Sequence, residues 1–220
     1  MKRATGTHPP KLDPLHLFDL VDTDVTELAP HASHDASRYL DADVAGRDLS
    51  GATFAECELV GWSAHETNFR DARFVETHLE RLKAPVFIAP RVSMRDVVIE
   101  SSRMGSLEMY DATLNSVVIS DSKLDWVNFR SAQLSDVLFR DCVFQEIDLS
   151  GARLTRVRFE SCTAEKIDLT GARLQHVDLR GLDVQAIDGL QGLKGATISS
   201  SQAALMVAVF AAHLGITVED

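Results

Sequence analysis

The chain is poor in cysteine and has no surplus of positive charge. Cys57, Cys142 and Cys162 are the only cysteines in 220 residues, too few for the disulfide framework of a small secreted domain. Acidic side chains outnumber basic ones, 33 to 22, for a net charge of −11. That balance favours solubility and argues against direct nucleic-acid binding. No apolar run approaches the roughly 20 residues of a membrane-spanning helix. Residues Met1 to Pro10 are polar, unlike a secretory leader. A cytoplasmic protein is therefore expected.

Chemistry-bearing motifs are equally scarce. Glycine does not open a helix after a strand, so no phosphate-binding loop is present. The histidines are scattered, and the one tight group, His31, His34 and Asp35, reads as a polar loop in preference to a metal site. No pair of carboxylates has a spacing that singles out an acid and a base. No enzyme, cofactor or metal is expected.

What is present is a strict period of five. Stepping from Val44 gives Leu49, Phe54, Leu59, Ala64, Phe69, Phe74, Leu79, Ala84, Ala89, Met94, Ile99, Met104, Met109, Leu114, Ile119 and Leu124. It continues through Phe129, Leu134, Phe139, Phe144, Leu149, Leu154, Phe159, Ala164, Leu169, Leu174, Leu179 and Val184, so that 29 consecutive positions are all apolar. In a chain with 45% hydrophobic residues, chance would give such a run with a probability on the order of 10⁻¹⁰. A period of five belongs neither to a helix nor to a flat strand. A second column, two residues earlier, holds smaller apolar or hydroxyl-bearing residues, with Arg47 its only charge. The three intervening positions carry nearly all the charge. Two inward and three outward residues per unit describe a short extended side and a corner, which on repetition make a solenoid around a filled core. The three cysteines fall in the smaller inward column, where buried small hydrophobes are the expected role. Cys142 and Cys162, one coil apart, leave a redox pair open.

Asp48-Leu49-Ser50-Gly51-Ala52 recurs at Asp148–Ala152 and, with Thr for Ser, at Asp168–Ala172. Glycine there suits a tight corner. On these residues the chain resembles the pentapeptide-repeat family, over about residues 42 to 186. The resemblance implies an all-β fold, a right-handed quadrilateral β-helix with four units per coil and about seven coils. It would form a rod of about 34 Å at the usual strand spacing. Residues 20 apart should then stack, as the uniformly large column Phe54, Phe74, Met94, Leu114, Leu134, Leu154, Leu174 requires.

Three regions follow: an N-terminal capping segment (1–41), the β-helix (42–188) and a C-terminal capping or dimerisation helix (189–220). The first should cover an otherwise open ladder end. In the last, Ser199 and Gln202 form a capping box for a helix running to Leu214 and stopped at Gly215. Leu205, Met206, Val209, Phe210 and Leu214 make an apolar stripe, part of which should close the last coil. Ala203, Ala204, Val207, Ala208, Ala211 and Ala212 leave almost no polar face. With the resemblance, this points to a homodimer through the C-terminal helix.

The resemblance also implies a function. Family members that protect against quinolones are similar to duplex DNA in size and charge and bind DNA gyrase or a related type II topoisomerase. Duplex of about 34 Å carries about 20 negative charges. Residues 44–184 carry 22 acidic and 17 basic side chains, so no strongly acidic strip is expected. The expectation is a non-catalytic protein-binding solenoid, either a DNA mimic for gyrase or a general interaction scaffold. Val98, Val118 and Leu138, outward on three successive coils, are either scattered surface apolars, or residues beneath the N-terminal segment, or a docking strip for another protein or a second copy of this one. Val86 and Ile88, between Pro85 and Pro90, are further outward apolar residues.

Overall fold

The structure, a computed structural model, describes residues 6–218. Its strands all pair in parallel, each with the segment about one coil away. Leu114, for example, pairs with Met94 on one side and Leu134 on the other. The two ladders comprise 13 and six strands and wind as a parallel β-solenoid. The whole of the large inward column is buried except Leu174 and Val184, in the last coils, which are half-buried. Aromatic rings stack along the axis, with Phe54 and Phe74 centroids 5.1 Å apart and 9° from parallel. Phe139 and Phe159 lie 4.9 Å apart.

The solenoid has about nine turns, not seven. At the N-terminal end, Ser33–Asp35 and Ser37–Leu40 already run in the ladder, paired with Thr53–Ala55 and Glu58–Val60. Val21–Asp22 adds to this edge through Ser37 and Arg38. At the other end Ala196–Thr197 pairs with Val177 and Asp178. That step is shorter than the one from Leu114 to Leu134, so the count by fives fails where the backbone ladder continues.

The corners are left-handed. Within a single coil Asp111, Ser116 and Asp121 have φ of 58°, 55° and 50°. Glycine is the residue that adopts this region without strain, yet most corners here carry Asp, Ser, Glu or Arg. Asp tolerates the conformation through local hydrogen bonds, and stacking on the next coil holds the others. The Asp-Leu-Ser-Gly motif marks only some corners.

Both ends are closed. Arg47, the lone charge of the inward column, donates from Nη1 to Val25 O at 2.6 Å and from Nη2 to Leu28 O at 2.7 Å. It thereby holds the 3₁₀ turn Val25–Glu27 over the first coils. His34, expected in a polar loop, lies in the core column beneath Phe54: its ring stacks on Phe54 at 5.1 Å, and Nδ1 meets the Tyr39 hydroxyl at 2.9 Å. His31 and Asp35 point outward, so the three never converge.

Burial pushes the His34 imidazole below its ordinary value near 6.5. The unfolded chain therefore takes up the proton first, and stability is full above that value and falls as pH drops through it. Acidification from pH 7.5 to 5 should lower the unfolding midpoint. The double variant His34→Phe/Tyr39→Phe, which keeps the stack and orphans no hydroxyl, should flatten that slope in thermal melts. An unchanged slope would assign the pH dependence to other groups.

At the C-terminal end the 3₁₀ turn Leu190–Leu193 lies on the last coils. A Cβ at Gly192 would sit 2.1 Å from Leu169 O, so only glycine permits that approach. The expected helix is two: Ser200–Leu205 and Val207–His213, meeting at Met206. Ser199 and Gln202 form the capping box, and Gln202 Nε2 also donates to Leu179 O and Leu182 O, both at 2.8 Å. No helix among the described residues is long and apolar enough to cross a membrane.

Candidate functional surface

Hydroxyls of the smaller inward column are satisfied by nearby carbonyls, whereas Nε2 of His34 in the core is buried without a partner among the described residues. Thr67 Oγ1 donates to Val44 O at 2.7 Å and Ser122 Oγ to Ser120 O at 2.6 Å. Cysteine takes the same place: Cys142 Sγ lies 3.3 Å from Arg140 O, and Cys162 Sγ 3.3 Å from Glu160 O. All three cysteines are free and buried. Burial pushes the Cys57 thiol up to about 11, and contact with Cys162 together with burial raises that of Cys142. These are conditions for inert thiols at Cys57 and Cys142, whereas the hydrogen bond from Cys142 holds the Cys162 thiol below its ordinary value.

On the exterior, charge is organised between coils. Asp71 takes two bonds from Arg91, Nε at 2.7 Å and Nη2 at 2.5 Å, which hold its carboxyl below the usual range. Arg140 meets Glu160 at 2.9 Å, and Lys166 bridges Glu146 at 3.2 Å and Asp188 at 3.0 Å. Arg38 pairs with Glu58, and Arg158 and Arg180 converge on Asp178. The recurrent spacing is one full coil, a signal present in the sequence once the coil length is known. His78, Glu80 and Glu100 place ligand atoms within 4.8 Å of one another. His78 Nε2 is already bonded to Glu100 at 2.9 Å and Glu80 to Arg81, so the trio belongs to the ion-pair ladder.

Val98, Val118 and Leu138 are direct ladder neighbours, flanked by His78 and Arg158 in the same row. They do not form an open strip. Val98 and Val118 are half-buried, and Leu138 is 5% exposed. The N-terminal segment passes this side of the rod, with the Lys11 amide donating to Asp136 Oδ1 at 2.8 Å and the Asp13 amide to Ser116 Oγ at 3.1 Å. Val86 and Ile88 are half-buried as well. On the other sheet Trp126 stands 54% exposed, an outward aromatic that a periodicity of inward positions does not reveal.

The C-terminal stripe divides. Met206 and Phe210 are half-buried and Ala211 is buried, whereas Leu205 and Val209 of the same stripe are 83% and 45% exposed. Val207, Leu214 and Ile216 are exposed too. Leu205, Met206 and Val209 line a cleft against Leu179, Val184 and Ile187 of the last coils.

These features define a filled parallel solenoid that presents surfaces. Two family models match it, pentapeptide repeats over residues 47–81 and a pentapeptide repeat region over residues 92–169, together more than half of the chain. The chain belongs to the pentapeptide-repeat family. Among solved structures it is similar to a trypsin-treated variant of QnrB1, a plasmid-mediated fluoroquinolone resistance protein. The identity is 19% over 90% of this chain and 96% of that one, with a TM-score of 0.38. It is also similar to HetL, a pentapeptide repeat protein involved in heterocyst differentiation regulation from the cyanobacterium Nostoc sp. strain PCC 7120. There the identity is 18% over 78% of this chain and 91% of that one, with a TM-score of 0.37. Comparison with curated proteins gives no match.

Proposed function

We propose that the protein is a non-catalytic, protein-binding solenoid that works as a homodimer joined through its C-terminal helices. The observation that carries this reading is the uncovered apolar surface of that element, with Leu205 83%, Leu214 71%, Val207 58% and Val209 45% exposed. Large apolar side chains left exposed together on one short element mark an interaction site. A second copy, with the same face and two-fold symmetry, is the self-complementary partner. Sedimentation of the full chain should give a dimer. Leu205→Asp/Val209→Asp should give a folded monomer whose unfolding midpoint no longer rises with protein concentration, as that of a dimer does. A monomeric wild type would overturn the dimer.

The second reading is a DNA-shaped decoy for a type II topoisomerase such as DNA gyrase, in keeping with the net charge of −11 and with the family resemblance. The pairing of coil carboxylates with arginines one coil away counts against it and favours a general interaction scaffold. Gyrase supercoiling in the presence of the full chain separates the two. Inhibition at low micromolar protein that fades with salt would favour the decoy, because electrostatic association is screened. Undiminished supercoiling at tens of micromolar would favour the scaffold.

A further inference from the structure

Residues 7–20 lie along the rod without joining it. Among the described residues no backbone–backbone hydrogen bond links them to the coils; the first, from Val21 N to Ala36 O at 2.9 Å, comes where the strand pairing begins. Their course is fixed by side-chain contacts. The His8 ring meets the His176 ring edge-on at 4.3 Å. The Lys11 and Asp13 amides then reach Asp136 and Ser116. The segment thus runs from the C-terminal coils to the N-terminal ones down one corner.

That corner carries its footprint. Glu76, Asp96, Ser116, Asp136, Arg156 and His176 are all half-buried or buried. Their counterparts at the preceding corner, Asp71, Arg91, Asp111, Ser131, Gly151 and Gly171, are all exposed. The segment turns Pro10, Leu12, Leu15, Leu17 and Leu20 partly inward and leaves Lys11, Asp13, His16 and Asp19 in solvent. Leu138, outward by register, is covered to 5% exposure on this side.

We propose that this corner groove is a binding site for an extended peptide, and that residues 7–20 are its built-in occupant, displaced by a leucine- and proline-bearing segment of a partner protein. Three observations carry it. The groove supplies acceptors, Asp136 Oδ1 and Ser116 Oγ, to main-chain N–H groups, which any extended peptide has, while the apolar row selects side chains. The groove is preformed, because Asp136 is also held by Arg156 through two bonds of 2.5 Å, which persist when the segment leaves. The fit of its own segment is incomplete, since Thr7 Oγ1 is buried without a partner among the described residues. A tethered occupant competes at an effective concentration in the millimolar range. The apparent affinity for a partner is therefore reduced by the fraction of chains whose groove is vacant. The inference does not depend on whether a topoisomerase is the target or whether the chain dimerises.

The test uses the full chain and a labelled synthetic peptide of residues 6–20. Wild type should bind the peptide weakly by fluorescence polarisation. The full-length variant Leu12→Asp/Leu15→Asp, with its own segment loosened, should bind it at least ten-fold more tightly. Adding Leu138→Arg to that variant should abolish binding. Hydrogen exchange reports the state of the segment. A segment that exchanges freely in a variant failing to bind the peptide overturns the proposal, as does a segment still protected. Should the variant not fold, exchange in wild type decides: Lys11 and Asp13 amides exchanging at least a hundred-fold faster than ladder amides support a displaceable occupant, and equal rates overturn it.

Discussion

Phe74→Ala should lower stability by about 3–5 kcal/mol, the range for deleting a buried phenylalanine ring. Phe74 is fully buried. It stacks on Phe54 at 5.1 Å and leans on Phe69 at 5.8 Å, and Met94 follows it in the ladder. The cavity would open in the middle of a stack that continues through Phe54 to His34. Coils on either side cannot close it, because their spacing is fixed by backbone hydrogen bonds. In a solenoid each coil contacts mainly its neighbours, so the damage should be local as well as large. Hydrogen exchange should quicken first over residues 53–100, while Gln133–Arg140 and Arg153–Glu160 keep their protection longer. Leu174→Ala, at a half-buried position in a late coil, should cost clearly less. Equal losses at the two positions, by chemical denaturation, would contradict the packing account.

That gradient along the rod also explains what the sequence reveals. The inward column is legible because burial in every coil demands an apolar residue at every fifth place, from Val44 to Val184. Beyond those limits the ladder continues on different terms. Tyr39 and His34 hold core positions, but a histidine interrupts an apolar count even when its ring stacks like an aromatic. Past Val184 the 3₁₀ turn at Leu190–Leu193 shortens the step, so that Asp178 pairs with Thr197 and not with Ile198, and a strict period loses the last coil. The corners hide for another reason. Left-handed backbone is imposed by stacking, so Glu76 or Arg156 adopts it without any glycine to announce it. The N-terminal segment has no period at all, because it is held by scattered side-chain contacts. Its course along the rod follows from Asp136 and Ser116, two corner residues whose types alone predict nothing. The charge pairs one coil apart, by contrast, are legible once the coil length is known.

Asp136→Ala should destabilise the protein by about 2–3 kcal/mol, somewhat below the 3–5 typical of breaking a fully buried pair. The Asp136 side chain is only 9% exposed, and its carboxylate accepts two bonds from Arg156 and one from the Lys11 amide. Removing it leaves the guanidinium without its counter-ion and the amide without its acceptor. Arg156 is 27% exposed, so water restores part of the loss, which sets the estimate below the buried limit. The backbone adds to it: position 136 has a φ of 57°, which Asp tolerates better than Ala. The Arg156 guanidinium, with the Lys11 amide, holds the Asp136 carboxyl below its ordinary value near 3.8. The contribution is therefore fully present above that value and lost as pH falls through the lower folded one. Between pH 7 and 4.5 wild type and variant should differ by a constant amount, and the gap should narrow on further acidification. Asp136→Asn, which retains an acceptor for Lys11 and tolerates the left-handed corner but has no charge for Arg156, should fall between them. Thermal melts of the three proteins across that range measure the effect; a gap independent of pH down to 2 would show that packing and backbone, and not the ion pair, hold this corner.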